Sequence, residues 1–560
     1  MTWQEAVSEK RKRQLASIPQ EWTLASLPSK DHLDISVFPD SCGLLTPTEL
    51  EITRSEIDGL LSKLAKGDWT SVQVTTAFYK RAIIAHQLTN CLTEIFVEKA
   101  LAKAAECDDY LKQTGKVLGP LHGLPVSLKD QINIKGIEST MGYVSWIGTF
   151  AERNAVLVDM LDSLGAVPFV KTNVPQTLMW GETFNNIFGR TCNPHNRSLT
   201  SGGSSGGEGA LLALRGSPLG IGSDIGGSIR IPSSFCGIYG LRPSHGRVPY
   251  AGCVNSMEGQ DSIMSVLGPM SNSLSGLKCF MKAVVDAKPW YKDALVIPKA
   301  WSEEDYRLVN HGGGKLLCFG ILWDDRCVVP NPPIIRALEM TKKALLAAGH
   351  KVVDWEPFKH DALSRTSYEI WGAGCDEDYR VVAQISGEPV ISTMGPDGNS
   401  EPGESKHKGG ISAYKLWQVQ KQKRDLRQEY LEYWQATQKT TGTGRPVDAI
   451  ISPVAPYAAP PHGFNRITDY TRIWNVLDYT TLVIPVSKVD RHLDVKKLPH
   501  KFYSDRDKDN YDRYDPETFR NAPVAVQIVG RTLEEEAVIG MAEIVDTALK
   551  ATKSQTASYL

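Results

Sequence analysis

The stretch Gly202-Gly203-Ser204-Ser205-Gly206-Gly207-Glu208-Gly209 is followed, a short way on, by Asp224-Ile225-Gly226-Gly227-Ser228-Ile229-Arg230. Each half places a serine directly after a Gly-Gly pair. Between them run Ala210-Leu211-Leu212-Ala213-Leu214 and Leu219-Gly220-Ile221. Glycine weakens helix and strand interiors, so such crowding marks backbone that turns sharply or approaches something closely. A flexible Gly/Ser tether would share the glycine content but not the apolar run. The stretch therefore reads as a site. A turn such as Ile225 to Ser228 can aim successive backbone N–H groups at one point, the geometry a developing oxyanion needs. A phosphate cradle is the rival reading, but neither loop has the G-x-x-x-x-G-K-[ST] spacing and no G-x-G-x-x-G follows a strand signal.

Outward from this stretch the pattern alternates. Leu124 to Leu128 is short and largely apolar, a strand whose end carries Lys129. Ala155 to Leu164 reads as a helix and Val167 to Lys171 as a second strand, although Pro168 is unusual there. Strand, helix and strand in succession argue for α/β organisation with crossover connections. Upstream, residues 46 to 116 read as three helices. The first is capped by Ser55 with Asp58 and ended by Gly67, the second is capped by Thr70 or Ser71, and the third ends near Gly115. Downstream, Leu316 to Leu322, Ile334 to Ala348 and Lys351 to Trp355 form one βαβ candidate. Residues 392–412 read as a surface loop and Ala413 to Thr437 as a helix. Three strand candidates follow at Ala449 to Ile451, Leu482 to Ile484 and Val524 to Val529. A charged insertion, residues 488–520, is expected to be exposed, and a last helix runs from Glu534 to Lys550.

Composition narrows the function classes. The 560 residues are 41% hydrophobic and 22% charged, which allows a substantial core. Lys and Arg number 62 against 64 Asp and Glu, so no excess charge points to nucleic acid or an anionic membrane as partner. The ten cysteines include no C-x-x-C pair, which speaks against a zinc ribbon or a thioredoxin-like motif and for free thiols in a reducing compartment. Residues 1–16 carry mixed charge without an apolar run and read as a surface helix rather than a signal peptide. No apolar segment approaches a transmembrane length. The expectation is a soluble, cytoplasmic protein.

A nucleophilic serine needs a base within hydrogen-bond reach. His122, His195 and His245 lie in neither a G-x-S-x-G elbow nor an H-E-x-x-H pair and read as structural or surface residues. A lysine can substitute only when its amine is neutral, which requires desolvation or neighbouring donors. Lys129, at the end of an apolar strand, is placed for that, although an ordinary solvated lysine would carry the same sequence signal.

Several segments resemble the amidase signature family of Ser–Ser–Lys hydrolases. They are Gly202 to Ser205, Asp224 to Arg230, Pro125 to Asp130, Thr172 to Gln176, Tyr239 to Arg247 and Ala522 to Gln527. Ala16 to Trp22, Gln87 to Cys91 and Trp474 to Tyr479 are similar to the subgroup of fungal acetamidases and general amidases. The resemblance covers nearly the whole chain and is weakest at residues 392–412 and 488–520. It implies an α/β fold of the amidase-signature type, with a large mixed β-sheet core flanked by helices on both faces. One domain would span 1–560: an N-terminal helical segment (1–116), a catalytic core (117–270), a variable substrate-side region (271–446) and C-terminal strands and a helix that complete the core (447–560).

Position by position, the resemblance implies Ser228 as acyl-forming nucleophile, Ser204 as bridging serine and Lys129 as base. The N–H groups of Ile225, Gly226, Gly227 and Ser228 would form the oxyanion hole, and the Gly203–Ser204 peptide would be cis. Asp224 and Arg230 are candidates to brace the turn, and Leu178, Met179 and Trp180 to line the acyl pocket. The implied activity is hydrolysis of a monocarboxylic acid amide to carboxylate and ammonia through an acyl-enzyme, with no metal and no organic cofactor. A small-molecule amide is the expected partner and a homodimer the default assembly. Two alternatives stay open: the transferring subunit of a glutamine-dependent amidotransferase, and a non-catalytic binding protein that retains the fold.

Overall fold

A computed structural model describes residues 1–374, 376–395 and 410–558. Eleven strands form one mixed sheet. In chain order they are β1 (Leu92–Ile95), β2 (Pro125–Lys129), β3 (Val167–Thr172), β4 (Leu219–Asp224), β5 (Tyr239–Arg242), β6 (Val266–Ser271), β7 (Cys318–Ile321), β8 (Lys351–Asp354), β9 (Ala449–Pro453), β10 (Thr481–Lys488) and β11 (Pro523–Val529). Across the sheet the order is β1-β3-β2-β4-β6-β5-β10-β11-β9-β7-β8. Parallel pairs at β3/β2/β4 and β9/β7/β8 flank an antiparallel centre. Successive strand residues point to opposite faces, and every residue of β2, β3, β4, β6 and β11 is buried. Helices therefore cover both faces.

Pro168 sits in β3 without breaking it. The β2–β3 register slips by one residue there, from Val126 opposite Pro168 to Ser127 opposite Val170, so the bulge falls where proline has no N–H to give. The predicted βαβ unit is present, with β7 and β8 parallel and Pro332–Ala347 between them.

Three expectations need correction. The helix Ile57–Lys66 does end at Gly67, in the left-handed conformation at φ 71°, but Glu56 is its N-cap. Ser55 instead closes a preceding helix, Pro47–Arg54, and donates its hydroxyl to the Glu51 carbonyl. Helix α1 (Trp3–Ala16) is not wholly a surface helix, because Lys10 and Gln14 are buried. Gln14 donates to the Leu92 and Thr93 carbonyls, and Lys10 pairs with Glu94 and Glu138, which docks the helix on β1. The charged segment 488–520 is only partly exposed. It contains a helix, Asp505–Arg513, and it buries Asp494, Asp507, Tyr514 and Phe519. Charge content predicts exposure only where no counter-group waits inside; here Arg336 takes Asp494 in a two-pronged pair.

The second helix, Ser71–Thr89, starts at Thr70 with a complete capping box to Gln73. Most of the loop read at 392–412, and Cys375, lie outside the described residues; the nine described cysteines are free thiols. Among the described residues no helix is long and apolar enough to cross a membrane.

Candidate active site

Parallel neighbours end at the same edge of a sheet, and that rule assembles the site. Lys129 is the last residue of β2, and Asp224 is the last residue of its parallel neighbour β4. Two segments far apart in sequence thus deliver a lysine and a glycine-rich turn to one place. Helix α2 (Gly206–Ala213) packs on β2 and β4, and the Gly202–Ser205 loop leads into it. Helix α3 (Arg230–Cys236) begins directly after Ser228.

Asp224 holds the turn in shape. Its carboxylate accepts from Arg230 Nε and Nη2 at 3.0 and 2.9 Å, from Asn475 Nδ2 at 2.8 Å, and from the backbone N–H groups of Gly227 and Ile229 at 2.9 and 3.1 Å. Asp224 and Arg230 are fully buried. Burial opposes ionisation of Asp224, but Arg230 and Asn475 outweigh it and hold the carboxyl well below the usual range. A further brace comes from α4 (Asp469–Leu477). Thr471 donates its hydroxyl to the Gly226 carbonyl at 2.7 Å and accepts Arg230 Nη1 on its own carbonyl at 2.8 Å. Gly227, at φ 133°, can only be glycine: a Cβ there would stand 2.4 Å from Thr471 Oγ1.

Of the four expected oxyanion donors, Gly227 already gives its N–H to Asp224. Among the described residues no side chain accepts from the N–H groups of Ile225, Gly226 or Ser228.

The bridging loop lies opposite. The Gly203–Ser204 peptide is cis. Gly203 is pressed against Glu182, whose backbone oxygen would lie 2.5 Å from an added Cβ. Lys129 Nζ stands 2.7 Å from Ser204 Oγ and 2.7 Å from Ser223 Oγ. The loop and the turn are joined through backbone, Ser205 N–H donating to the Ser228 carbonyl at 3.2 Å. The two serine hydroxyls are not hydrogen-bonded to each other. Ser228 Oγ has no partner among the described residues, and Ser228 is 8% exposed, the most open of the three side chains.

Burial brings the Lys129 amine down to about 7, against the opposing pull of Asp224 and Glu208. Glu208, on α2, is fully buried and accepts the hydroxyls of Ser127 at 2.6 Å and Thr172 at 2.9 Å. Burial outweighs those contacts and the attraction of Lys129, and pushes its carboxyl up to about 8. Of the two acids that act on the lysine, Asp224 is held as the carboxylate, whereas burial disfavours the charged form of Glu208.

The acyl-pocket candidates separate. Leu178 is buried in a small cluster with Met141, Tyr143 and Val174. Met179 packs on the apolar cluster that contains Ile225, as do Met257 and Trp371; Trp180 is half-buried and belongs to none of the clusters formed by the described residues. Trp371, at the end of helix His360–Trp371, was not anticipated. Its Cη2 lies 3.0 Å from the position of a Cβ on Gly226, so the indole edge closes over the turn. Its Nε1 is buried with no hydrogen-bond partner among the described residues. Thr177 and Leu178 precede Met179 with φ of 73° and 62°, a left-handed pair that non-glycine residues seldom adopt and that concentrates at functional sites.

Sequence reading also missed Ser223, Gln131 and Thr471, which carry no motif of their own, and gave Glu208 no role within its glycine-rich stretch. Asn475 lay within the Trp474–Tyr479 segment, where its role was unassigned. The three histidines do stand apart from the site. His122 Nδ1 accepts the Leu118 N–H, His195 Nε2 meets the Cys236 carbonyl, and His245 is held through its backbone N–H by Asp478.

The chain is similar to known proteins over nearly its whole length. The model of the family described as Amidase matches residues 73–539. An acetamidase of Emericella nidulans is 44% identical over 552 residues, covering 98% of each chain. An acetamidase of Aspergillus oryzae is 43% identical over 549 residues, covering 98% of this chain and 99% of the relative. Among solved structures, a fatty acid amide hydrolase superposes with a TM-score of 0.89 at 34% identity, over 98% of this chain and 95% of that one.

Proposed function

The chain belongs to the amidase family and is an amidase that hydrolyses C–N bonds; from that premise we propose that it converts short-chain carboxamides to carboxylate and ammonia through an acyl-enzyme on Ser228. Ser228 Oγ attacks the amide carbonyl while its proton passes to Ser204 Oγ, and the Ser204 proton passes to the neutral Lys129 amine. The new oxyanion is met by the N–H groups of Ile225, Gly226 and Ser228, with Gly227 joining if its bond to Asp224 relaxes. Losing one such donor raises the barrier by about 2.7–4 kcal/mol. The proton returns from Lys129 through Ser204 to the leaving nitrogen, since an amide anion does not leave unprotonated. Ammonia departs, and water hydrolyses the ester by the same relay run again.

The observation that carries this reading is the buried Lys129 amine, lowered to about 7 and 2.7 Å from Ser204 Oγ. A charged surface lysine would not serve. Ser228 Oγ, free of other partners, completes the relay by rotating toward Ser204. Met179 packs on the cluster that contains Ile225 and the Trp371 edge stands over Gly226, and we read both as walls of the acyl side. The named acetamidases, at 44% and 43% identity, support the short acyl group. Purified chain should release ammonia from acetamide and propionamide and much less from hexanamide or benzamide. Absence of ammonia release from every simple amide would overturn the proposal.

A further inference from the structure

The geometry points to Gln131 as a positioning residue for Lys129, acting through Ser223 by fixing which way that hydroxyl donates. The inference rests on Lys129 being the base. Gln131 is fully buried, two residues beyond Lys129. Its Nε2 donates to the Val254 carbonyl at 3.0 Å and to the Tyr250 hydroxyl at 2.7 Å. A backbone carbonyl only accepts, so the amide nitrogen faces Val254 and Oε1 faces the opposite way. Oε1 meets Ser223 Oγ. An amide oxygen carries no proton, so the single Ser223 hydroxyl proton must point at Gln131.

The consequence falls on the lysine. With its proton committed, Ser223 can only accept from Lys129, 2.7 Å away. A neutral amine has two N–H bonds and one lone pair. One N–H is taken by Ser223, and Ser204 stands on another side of the nitrogen, also at 2.7 Å. The lone pair is thereby left to Ser204. Remove Oε1, and the Ser223 proton is free to swing onto that lone pair and occupy the electrons that Ser204 needs. The run Val254–Gln131–Ser223–Lys129 thus has one direction of donation, set at its far end by a backbone group that cannot reverse.

The test is a double-mutant cycle between Gln131→Leu and Ser223→Ala, with Gln131→Met as a second variant of similar volume should the leucine form fold poorly. Gln131→Leu should lower kcat for acetamide by about tenfold or more with KM little changed, the size of one lost hydrogen bond to a reacting charged group. In the Ser223→Ala background the same change should add no further loss, because the hydroxyl it releases is gone. Gln131→Glu can still accept from Ser223. It should keep activity but move the acid limb of the pH–rate profile upward, as an added carboxylate favours protonated Lys129. A kcat within about twofold of wild type in both Gln131→Leu and Gln131→Met would overturn the inference, and so would an equal loss with and without Ser223. Should those variants stay active while Lys129→Met is dead, Lys129 stands as base and only the orienting role falls. Full activity in Lys129→Met would instead remove the mechanism itself.

Discussion

If Lys129 works as the neutral amine, activity must follow its titration. An ordinary lysine, near 10.4, is neutral in fewer than about one molecule in a thousand at pH 7. Burial among Ser204, Ser223 and the β2–β4 edge brings Lys129 to about 7, where about half the molecules carry a usable lone pair. Ammonia release from acetamide should therefore rise about tenfold per pH unit below about 6, bend near 7 and level off above about 8. Lys129→Arg, charged at every accessible pH, should be inactive throughout.

Stability supplies a check independent of turnover. The folded pKa lies below the unfolded one, so between about 7 and about 10.4 the unfolded chain holds a proton that the native chain lacks. The stability of wild type relative to Lys129→Met should then increase with pH across that window and be lowest beneath it. At about 1.4 kcal/mol per unit, the difference should grow by roughly 2–3 kcal/mol from pH 7.5 to 9.5. Urea unfolding at the two pH values measures it. A flat rate profile from pH 5.5 to 8.5 with chemistry rate-limiting, or a stability gap that ignores pH, would refute the argument.

Two other predictions follow from the turn and the pocket. Asn475→Ala withdraws a donor from Asp224 and an acceptor from Arg230, both buried; about 1–3 kcal/mol should be lost for each group left unsatisfied, read by denaturant unfolding, with kcat falling because the same carboxylate anchors Gly227. Trp371→Ala should raise kcat/KM for hexanamide and benzamide relative to acetamide by about tenfold or more, in the range that pocket discrimination reaches, and an unchanged ratio would remove Trp371 from the acyl wall.

Strands β2 and β3 were legible because they are short apolar runs with signals at both ends, and the glycine turn because few other residues fit there, whereas β4 showed only as an apolar run between the two glycine-rich halves. Lys129 alone could not be told from a solvated lysine; what distinguishes it is burial at the end of β2, a property of the sheet order rather than of its neighbours in sequence. Ser223, Gln131 and Thr471 were invisible for the same reason, each being a common polar residue whose partner arrives from another strand or helix. Trp371 closes over Gly226 from a helix in the least regular part of the sequence, and Leu178 packs with Met141, Tyr143 and Val174, contacts that no local pattern announces. The exposure expected for residues 488–520 failed where Arg336 and the core receive Asp494, Tyr514 and Phe519.

If Ser228 forms the acyl bond, covalent labelling reveals it without recourse to turnover. Wild-type chain treated with a fluorophosphonate should gain the mass of one phosphonyl group, mapped by peptide sequencing to Ser228. Labelling should be absent in Ser228→Ala and strongly slowed in Lys129→Met, with both variants folded by circular dichroism. A label on any other residue, or a Ser228→Ala chain that still hydrolyses acetamide, would contradict the account.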